Sequence, residues 1–579
     1  MLFLLLACTG PGDPKTDGRA RDSAPTESPP AESAPPVDSR PDESQPPDSP
    51  VDSRSDSPAE TGETAETAPP ETGWRSALYP SDWAPGYAVG DSFLHDFSYA
   101  GYHNGEDDLS LPSGPVYSVL DYGADSTGLT DSCSAIQATI DAASDSGGGV
   151  VTLPAGEYRC EDLLTVETSG VWLQGDGSGA TFLYFTRSAS MTDVSHLTFS
   201  GALSTDAEAL LTTDGAVWDT TLQVDDASLF TVGDDVSVGW VISDEFVEEH
   251  GMTDTWYVSN GEWRAFFRRD VIAVDTDANT VTVDVPIRYA AKTRDLASVR
   301  KESGYLSEVG VVGLSVSTVV SWSDAWSNDR SHAIGMVGVK DGFIDDVASY
   351  ASPNSDDDRG LHLQSGGIIV ERSKRVTVAN STLENAQHRG DGGNGYLFEI
   401  TRASEILIRD CTGRAGRHNF IQNWDFGTSG SVFLRTASED GACVYDEENE
   451  WLTWTCNSEF HHSLAMANLI DQSSTTDGWK GANRQDESSG AGHSATQDVF
   501  WNTSGTGAVT SYQYGLGYVI GTQDVTVYTT VWDVLDSEGT APEDYTEGLD
   551  EGADLQPPSL YDDQLRLRLA RGGALWGGG

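Results

Sequence analysis

Six fifteen-residue windows of this chain align without gaps, each closing on a short alternating strand and a small polar residue. They are HAIGMVGVKDGFIDD (332–346), GGIIVERSKRVTVAN (366–380), YLFEITRASEILIRD (396–410), QNWDFGTSGSVFLRT (422–436), SGAGHSATQDVFWNT (489–503) and GLGYVIGTQDVTVYT (515–529). Their starts are 34, 30, 26, 67 and 26 residues apart. A unit this short cannot bury its apolar face alone, so successive units must stack on one another. Strand segments rich in Val, Ile, Thr and aromatics suit such a solenoid. Propeller blades need about 40–45 residues each, and no 3.6-residue pattern between the strands supports α/β repeats. The expected fold is all-β: a single-stranded right-handed parallel β-helix, whose 67-residue gap holds two turns and an excursion at Cys443–Cys456.

The start of the solenoid has a different texture. Residues 117–160 read YSVLDYGADSTGLTDSCSAIQATIDAASDSGGGVVTLPAGEYRC. An Asp-rich turn (121–131) precedes an amphipathic helix (134–144), a Gly triplet and VVTLPAGEY. Ala135, Ile136, Ile140 and Ala143 share one helix face and can plug the open end of a solenoid. This stretch resembles the opening of the pectate-lyase/rhamnogalacturonase-type β-helix superfamily. That resemblance implies the architecture and no reaction, because the superfamily holds lyases, hydrolases, epimerases and phage tailspikes. SFLHDFSYAGYHNGE (92–106), and the pairing of EEHGMTDTW with VDVPIRY, are similar to secreted bacterial β-helix proteins presumed to act on polysaccharides.

Residues 205–300 break the coil pattern. TLQVDDASLFTVGDDVSVGW and DVIAVDTDANTVTVDVPIRY read as a small β insertion. Such insertions commonly wall a saccharide cleft in the superfamily. Its aromatics Trp240, Trp256, Trp263, Phe266 and Phe267 serve either sugar stacking or the insertion's own core, and Trp263 is kept as a substrate-binding candidate. The organisation expected is a lipoprotein-type signal (1–8), a tether (9–73), an N-terminal extension (74–118), the β-helix start (119–204), the insertion (205–300), coils (301–535) and an acidic tail (536–579).

Leu5-Leu6-Ala7-Cys8 resembles the lipobox of bacterial lipoproteins, which makes Cys8 the lipidation candidate. The basic region of an export signal is missing, which a true start upstream of Met1 would explain. Residues 9–73 are nearly all Pro, Ser, Thr, Asp, Glu, Ala and Gly with no aromatic, so they cannot offset their ordering entropy by burial. As a coil they span about 45 Å. The expectation is an exported domain tethered to the outer membrane or cell surface, or else secreted, touching a membrane only through the lipid. Cysteine use agrees: Cys133–Cys160 and Cys443–Cys456 are local pairings, with Cys411 left as a buried thiol. The formal charge of −59 excludes nucleic acid as a general partner. Oligomeric state is open.

Within that negative chain, residues 359–435 carry ten Lys+Arg against seven acids. A positive pocket there suits an anionic polysaccharide. Asn380 and Asp410 hold the same repeat position, and His388 and His418 each follow eight residues later, so stacking of His388-Arg389 near Arg417-His418 is expected. Stacked imidazoles beside arginines disfavour protonation, leaving a neutral base. His461, His462, His493 and Arg484 are further substrate-binding candidates. The ordered NTD, DD, GHG and RIK motifs of polygalacturonase-type hydrolases are absent, as are the WIDH and RxPxxR motifs of the principal pectate lyases. Asp345-Asp346, with one side chain toward the core, is a poor acid/base pair, and Asp356-Asp357-Asp358 is a solvated loop or weak Ca²⁺ site.

What remains is β-elimination of a uronate. Arg389 or Arg417 neutralises the C6 carboxylate, His388 or His418 takes the C5 proton, and Tyr396 protonates O4. No redox cofactor is required, Ca²⁺ is allowed, and no metal site is assigned. A hydrolase of the same fold using Asp391 and Asp425, or a non-catalytic carbohydrate-binding or adhesin solenoid, are the competing readings.

Overall fold

The computed structural model describes residues 73–322, 325–327, 330–355, 359–390, 392–444, 453–529 and 543–572. Cys8, nearly all of the 9–73 segment, Asp356-Asp357-Asp358 and Asp391 lie outside the described residues.

The chain winds as a parallel β-helix. One ladder runs through Leu164–Val166, Ser195–Ser200, His332–Val337, Gly366–Glu371, Tyr396–Thr401, His418–Gln422, Ser458–Phe460, Trp479–Gly481, Ala508–Ser511 and Thr526–Tyr528, each strand pairing with its neighbours in chain order. A second runs from Val171–Gly175 through Leu306–Thr318, Val339–Ser349, Lys374–Ala379, Leu407–Arg409, Val432–Leu434, Leu469–Asp471 and Val499–Gly505 to Tyr518–Gln523. Short strands Thr382–Glu384, Thr412–Arg414, Ala437–Glu439 and Ser474–Thr475 form a third. The interior is a continuous stack of Val, Ile, Leu and Phe side chains, including Ile334, Ile368, Phe398 and Phe420.

The recurring polar residue of the repeat has a backbone cause. Gly313, Asp346, Asn380, Asp410, Arg435, Gln472, Asn502 and Gly521 follow in-register residues of the second ladder, and all have φ between 49° and 68°. This left-handed corner costs least for Gly, Asn and Asp. The gap-free alignment slips by one residue in two windows, where the corners are Arg435 and Asn502, and its last window ends at Thr529, well past the corner at Gly521. The kink at Asp346 also corrects the expectation for Asp345-Asp346. Both are part-exposed, with Asp345 accepting from Asn380 and Asp346 accepting from Ser178. Between corners 435 and 502 lie two windings, and the first carries the hairpin Ala442–Val444/Thr453–Thr455, closed by a Cys443–Cys456 disulfide.

Helix Cys133–Asp145 caps the N-terminal end. Cys133, Ile136, Thr139, Ile140 and Ala143 are buried on one face while Ala135 is only half-buried. Burial of each isoleucine contributes about 1.5–3 kcal/mol. A Cys133–Cys160 disulfide ties the helix to strand Gly156–Cys160.

The insertion is a six-stranded antiparallel sheet, Ser204–Leu210 to Ser298–Ser303 at its outer limits, with its own core. Trp240, Trp256, Phe266 and Phe267 fill that core, Trp240 stacking on Phe266 at 3.7 Å between ring centroids, so these four are not sugar platforms. The sheet lies against the first ladder's turns. Ser429 Oγ donates to Phe266 O (2.7 Å), and Gly427, at φ 106°, approaches the Ala265 carbonyl too closely for any Cβ.

The second ladder is covered by the N-terminal extension. Leu78, Tyr79, Trp83, Leu94 and Phe97 pack with Leu434, Trp501 and Ile520, and with Leu560 and Tyr561 of a C-terminal helix, Leu560–Ala570. The described part of the tail, 543–572, thus packs on the body. Arg568 of that helix is buried and donates to Ser98 Oγ at 2.9 Å.

Candidate active site

Two consecutive strands of the first ladder place Tyr396 and His418 in direct register. The next winding sets Glu459 beside Ile421 and brings His461 just past the strand end, where its amide donates to Gln422 O at 2.8 Å. Ring centroids of Tyr396 and His418 are 5.2 Å apart, His418 and His461 5.3 Å, Tyr396 and His461 5.9 Å. None of Tyr396, His418, Glu459 and His461 is more than 4% exposed, so their charge states are set by the protein rather than by water.

Hydrogen bonding fixes the tautomers. His418 Nδ1 lies 2.5 Å from the Asn457 carbonyl, which can only accept, so Nδ1 carries the proton. Nε2 then bears the lone pair; it makes no hydrogen bond and lies 3.4 Å from a Glu459 oxygen. Burial, with help from Arg417, drops the His418 pKa to about 4, against the opposing pull of Glu459. His461 donates through Nδ1 to Glu459, and its Nε2 lies 3.1 Å from Ser488 Oγ. Burial and Arg484 hold His461 well below the ordinary imidazole value. Burial opposes the Glu459 charge, yet Arg484 and the two imidazoles keep its carboxyl well below the usual range. Tyr396, desolvated, is pushed up to about 12 and stays protonated at neutral pH. The result is a neutral base, a neutral phenol acid and a guanidinium within one buried patch.

Arg484 donates through Nη1 to the His461 carbonyl (2.7 Å), lies 3.7 Å from Glu459, and meets Glu487 at 3.2 Å. Arg417 donates to Gly390 O, and its Cβ and the Arg389 Cγ flank Gly395 together. The two arginines expected near each other are therefore adjacent.

His388 is not stacked on His418. The loop from Glu384 to Tyr396 is eight residues longer than the one from Arg414 to His418, so equal sequence offsets do not give equal positions. His388 instead packs against Trp326, ring centroids 4.3 Å apart, and accepts at Nδ1 from the Gly390 amide. His462 supports a turn: Nδ1 accepts from the Asp425 amide (3.3 Å), Nε2 donates to Ser488 O (3.1 Å), and Trp424 lies on its ring at 4.1 Å. His493 is buried among Trp256 and Tyr514. Trp263 lies under Arg300, 3.8 Å from guanidinium carbon to ring, and donates to Ser298, so it serves the insertion.

The basic excess of 359–435 does not make a positive pocket. Lys374 pairs with Asp235 and Asp270, Arg375 with Asp341, Asp270 and Asp284, Arg402 with Glu371, Arg414 with Glu384 and Glu439, and Arg435 with Asp410 and Asp562. Much of the balancing charge comes from the insertion, outside the counted stretch. Asp425 is bound by Arg264 (2.6 Å) and Ser259 (2.8 Å).

Sequence reasoning missed Glu459. Its signal was present in SEFHH, where Glu459 stands two residues before His461. It also missed Glu399, fully buried, which takes Arg330 at 2.6 Å, His332 at 2.8 Å and Asn423 Nδ2 at 3.1 Å.

His418, Glu459 and His461 offer three donor atoms within 4.8 Å of one another. Two imidazoles suit a hard cation such as Ca²⁺ poorly. A softer cation would have to tolerate the Arg484 guanidinium and displace the His461–Glu459 hydrogen bond, so this arrangement fits acid–base work better.

Residues 116–223 match the family model described as rhamnogalacturonase A/epimerase, pectate lyase-like. Over 73 residues the chain is 45% identical to alginate lyase 7 of Azotobacter vinelandii, covering 12% of this chain and 8% of that protein. Over 74 residues it is 46% identical to mannuronan C5-epimerase AlgE5 of the same bacterium, covering 12% and 7%. The chain thus spans under a tenth of the length of both relatives. Among solved structures it is similar to the tailspike gp61 of Pseudomonas phage phi297, with TM-score 0.40 and 14% identity over 76% of this chain and 81% of that one.

Proposed function

We propose that this chain, which carries a β-helix of the pectate lyase-like superfamily, is an enzyme that removes the C5 proton of a uronate in an anionic polysaccharide. The observation that carries the reading is the convergence of His418, Tyr396, Glu459, His461 and Arg484 in one desolvated patch.

In the elimination, Arg417 faces the uronate carboxylate and lowers the cost of charge developing at C5. His418 Nε2 takes the C5 proton. The C5–H electron pair forms the C4–C5 double bond, the C4–O4 bond breaks, and Tyr396 donates its phenol proton to O4. Glu459 holds His461, and through it the loop of Ser488, in place. The step as written uses only the chain's own groups.

C5 epimerisation is the second reading. It shares proton removal and differs in that a proton returns to the opposite face of C5 while O4 stays. The activities named for the matched relatives, an alginate lyase and mannuronan C5-epimerases, favour these two reactions over hydrolysis. Asp425, already bound by Arg264 and Ser259, is a poor hydrolytic carboxylate. Export of the domain, with acylation at Cys8, is part of the same proposal.

The test is incubation of the protein with alginate, pectate, glucuronan and glycosaminoglycans while the ultraviolet absorbance of 4,5-unsaturated uronate is followed. A rise that disappears in His418→Ala supports elimination. Deuterium uptake at C5 from heavy water without that rise supports epimerisation. New reducing ends without either signal would overturn both readings.

A further inference from the structure

Away from the His418 patch, beyond the far end of the Tyr396–Thr401 strand, the N-terminal extension and the insertion enclose a cavity of about 350 Å³. That volume falls at the lower end of the range for ligand pockets, roughly 300–1,000 Å³. Its walls are Pro85, Gly86, His95, Asp96 and Tyr99 from the extension, and Trp218, Thr220, Pro286 and Arg288 from the insertion.

Three features mark it as built. Trp218 has φ 76°, a conformation that a bulky residue adopts only when its surroundings impose it. Its ring is held edge-on by Phe93 at 4.6 Å, and its indole N–H is buried with no hydrogen-bond partner. Buried N–H groups of that kind ordinarily find an acceptor. Tyr99, also in the wall, is fixed by the Arg568 guanidinium at 4.6 Å from its ring. The cavity is therefore lined by two held aromatic rings with hydroxyl and carboxyl groups around them.

Its charge selects the ligand. The Arg288 guanidinium is committed, donating to both Glu405 oxygens (3.1 and 2.8 Å) and to the Asp96 carbonyl (2.8 Å), so it is not a seat for an anion. His95, bound to Gln497 at 2.7 Å, is kept neutral by burial. The Asp96 carboxyl accepts from the Ser98 amide at 3.0 Å and adds no positive charge. A carboxylated sugar has no cation to meet here, whereas a neutral sugar has aromatic faces for its C–H surface and polar groups for its hydroxyls.

We propose that this cavity is a binding site for a neutral saccharide unit, distinct from the patch around His418 and independent of any reaction there. Filling it joins the extension to the insertion.

The test is isothermal titration calorimetry of the full chain with mannotriose, cellotriose and xylotriose, and with trimannuronate as the charged comparison. At least one neutral trisaccharide is expected to bind wild type and His418→Ala equally. Trp218→Phe and Thr220→Val are both expected to weaken it about tenfold or more, each with an unchanged melting temperature in the absence of sugar. The proposal is overturned if no neutral trisaccharide binds. It is equally overturned if binding survives both substitutions, or if trimannuronate alone binds in a Trp218-dependent way.

Discussion

His418 donates its Nδ1 proton to the Asn457 carbonyl at 2.5 Å, and this single bond decides which nitrogen can act as a base. Nε2 is left with its lone pair in a site where burial disfavours protonation. Asn457 follows Cys456, which is disulfide-bonded to Cys443, so the carbonyl that orients the imidazole sits at the foot of the closed hairpin. Replacing His418 with Ala should lower kcat by about 10²–10⁴-fold, the usual worth of a positioned base. His418→Gln, which keeps a donor for the Asn457 carbonyl, should lose as much activity while unfolding at the wild-type temperature. Steady-state kinetics and calorimetry on the two variants separate a chemical role from a structural one.

The acid side of the pH profile should reflect the same burial. An ordinary histidine loses its basic form below about pH 6.5. His418, lowered to about 4, stays neutral until the pH falls through that value, so the acid limb of kcat/KM should lie nearer 4 than 6.5. Glu459 opposes the lowering, so Glu459→Gln should move the limb to still lower pH rather than higher. A wild-type limb near 6.5 would mean that another group, or a hydrated His418, is the base.

Tyr396→Phe separates the two halves of the reaction. The phenol, pushed up to about 12, is a proton donor across the neutral range. Without it, cleavage should fall by about 10²–10⁴-fold, while His418 still removes the C5 proton. Deuterium exchange at C5 in heavy water should therefore persist in Tyr396→Phe and vanish in His418→Ala. Loss of exchange in both variants would place Tyr396 at the proton-removal step instead.

Much of the fold could be read because its cause is local. The corner positions at Asp346, Asn380 and Asp410 need a left-handed backbone, and that need writes small polar residues into the repeat at each turn. The capping helix shows in the spacing of Ile136, Ile140 and Ala143, which is a property of one segment. The site is different in kind. Whether His388 or His418 lies beside Tyr396 depends on eight extra residues in one loop, and a gap-free comparison of windows cannot see them. Glu459 was passed over because it gains its role from His418, forty-one residues earlier, and from Arg484 beyond it. The basic stretch misled for a related reason: Asp235, Asp270 and Asp284, which pair with Lys374 and Arg375, come from the insertion and are distant in sequence, and Asp341, which also holds Arg375, lies outside the counted stretch.

The C-terminal helix supplies a stability prediction with a definite sign. Asp471, at the end of a second-ladder strand, accepts from Ser559 Oγ and the Tyr561 amide, both at 2.8 Å, where the helix begins. Burial raises its pKa from 3.8 to about 7 despite those bonds. A group whose pKa is higher when folded contributes stability that is fully present below the unfolded value and lost as pH rises through the folded one. Wild type should therefore lose stability between about pH 4 and 7 through this carboxyl. Asp471→Asn keeps an oxygen to accept from Ser559 and Tyr561 and removes the titration. The variant should melt at a higher temperature than wild type above pH 7, with the difference shrinking toward pH 4. A constant difference across that range would mean that Asp471 is ionised in the folded protein, its charge held by the helix N-terminus rather than suppressed by burial.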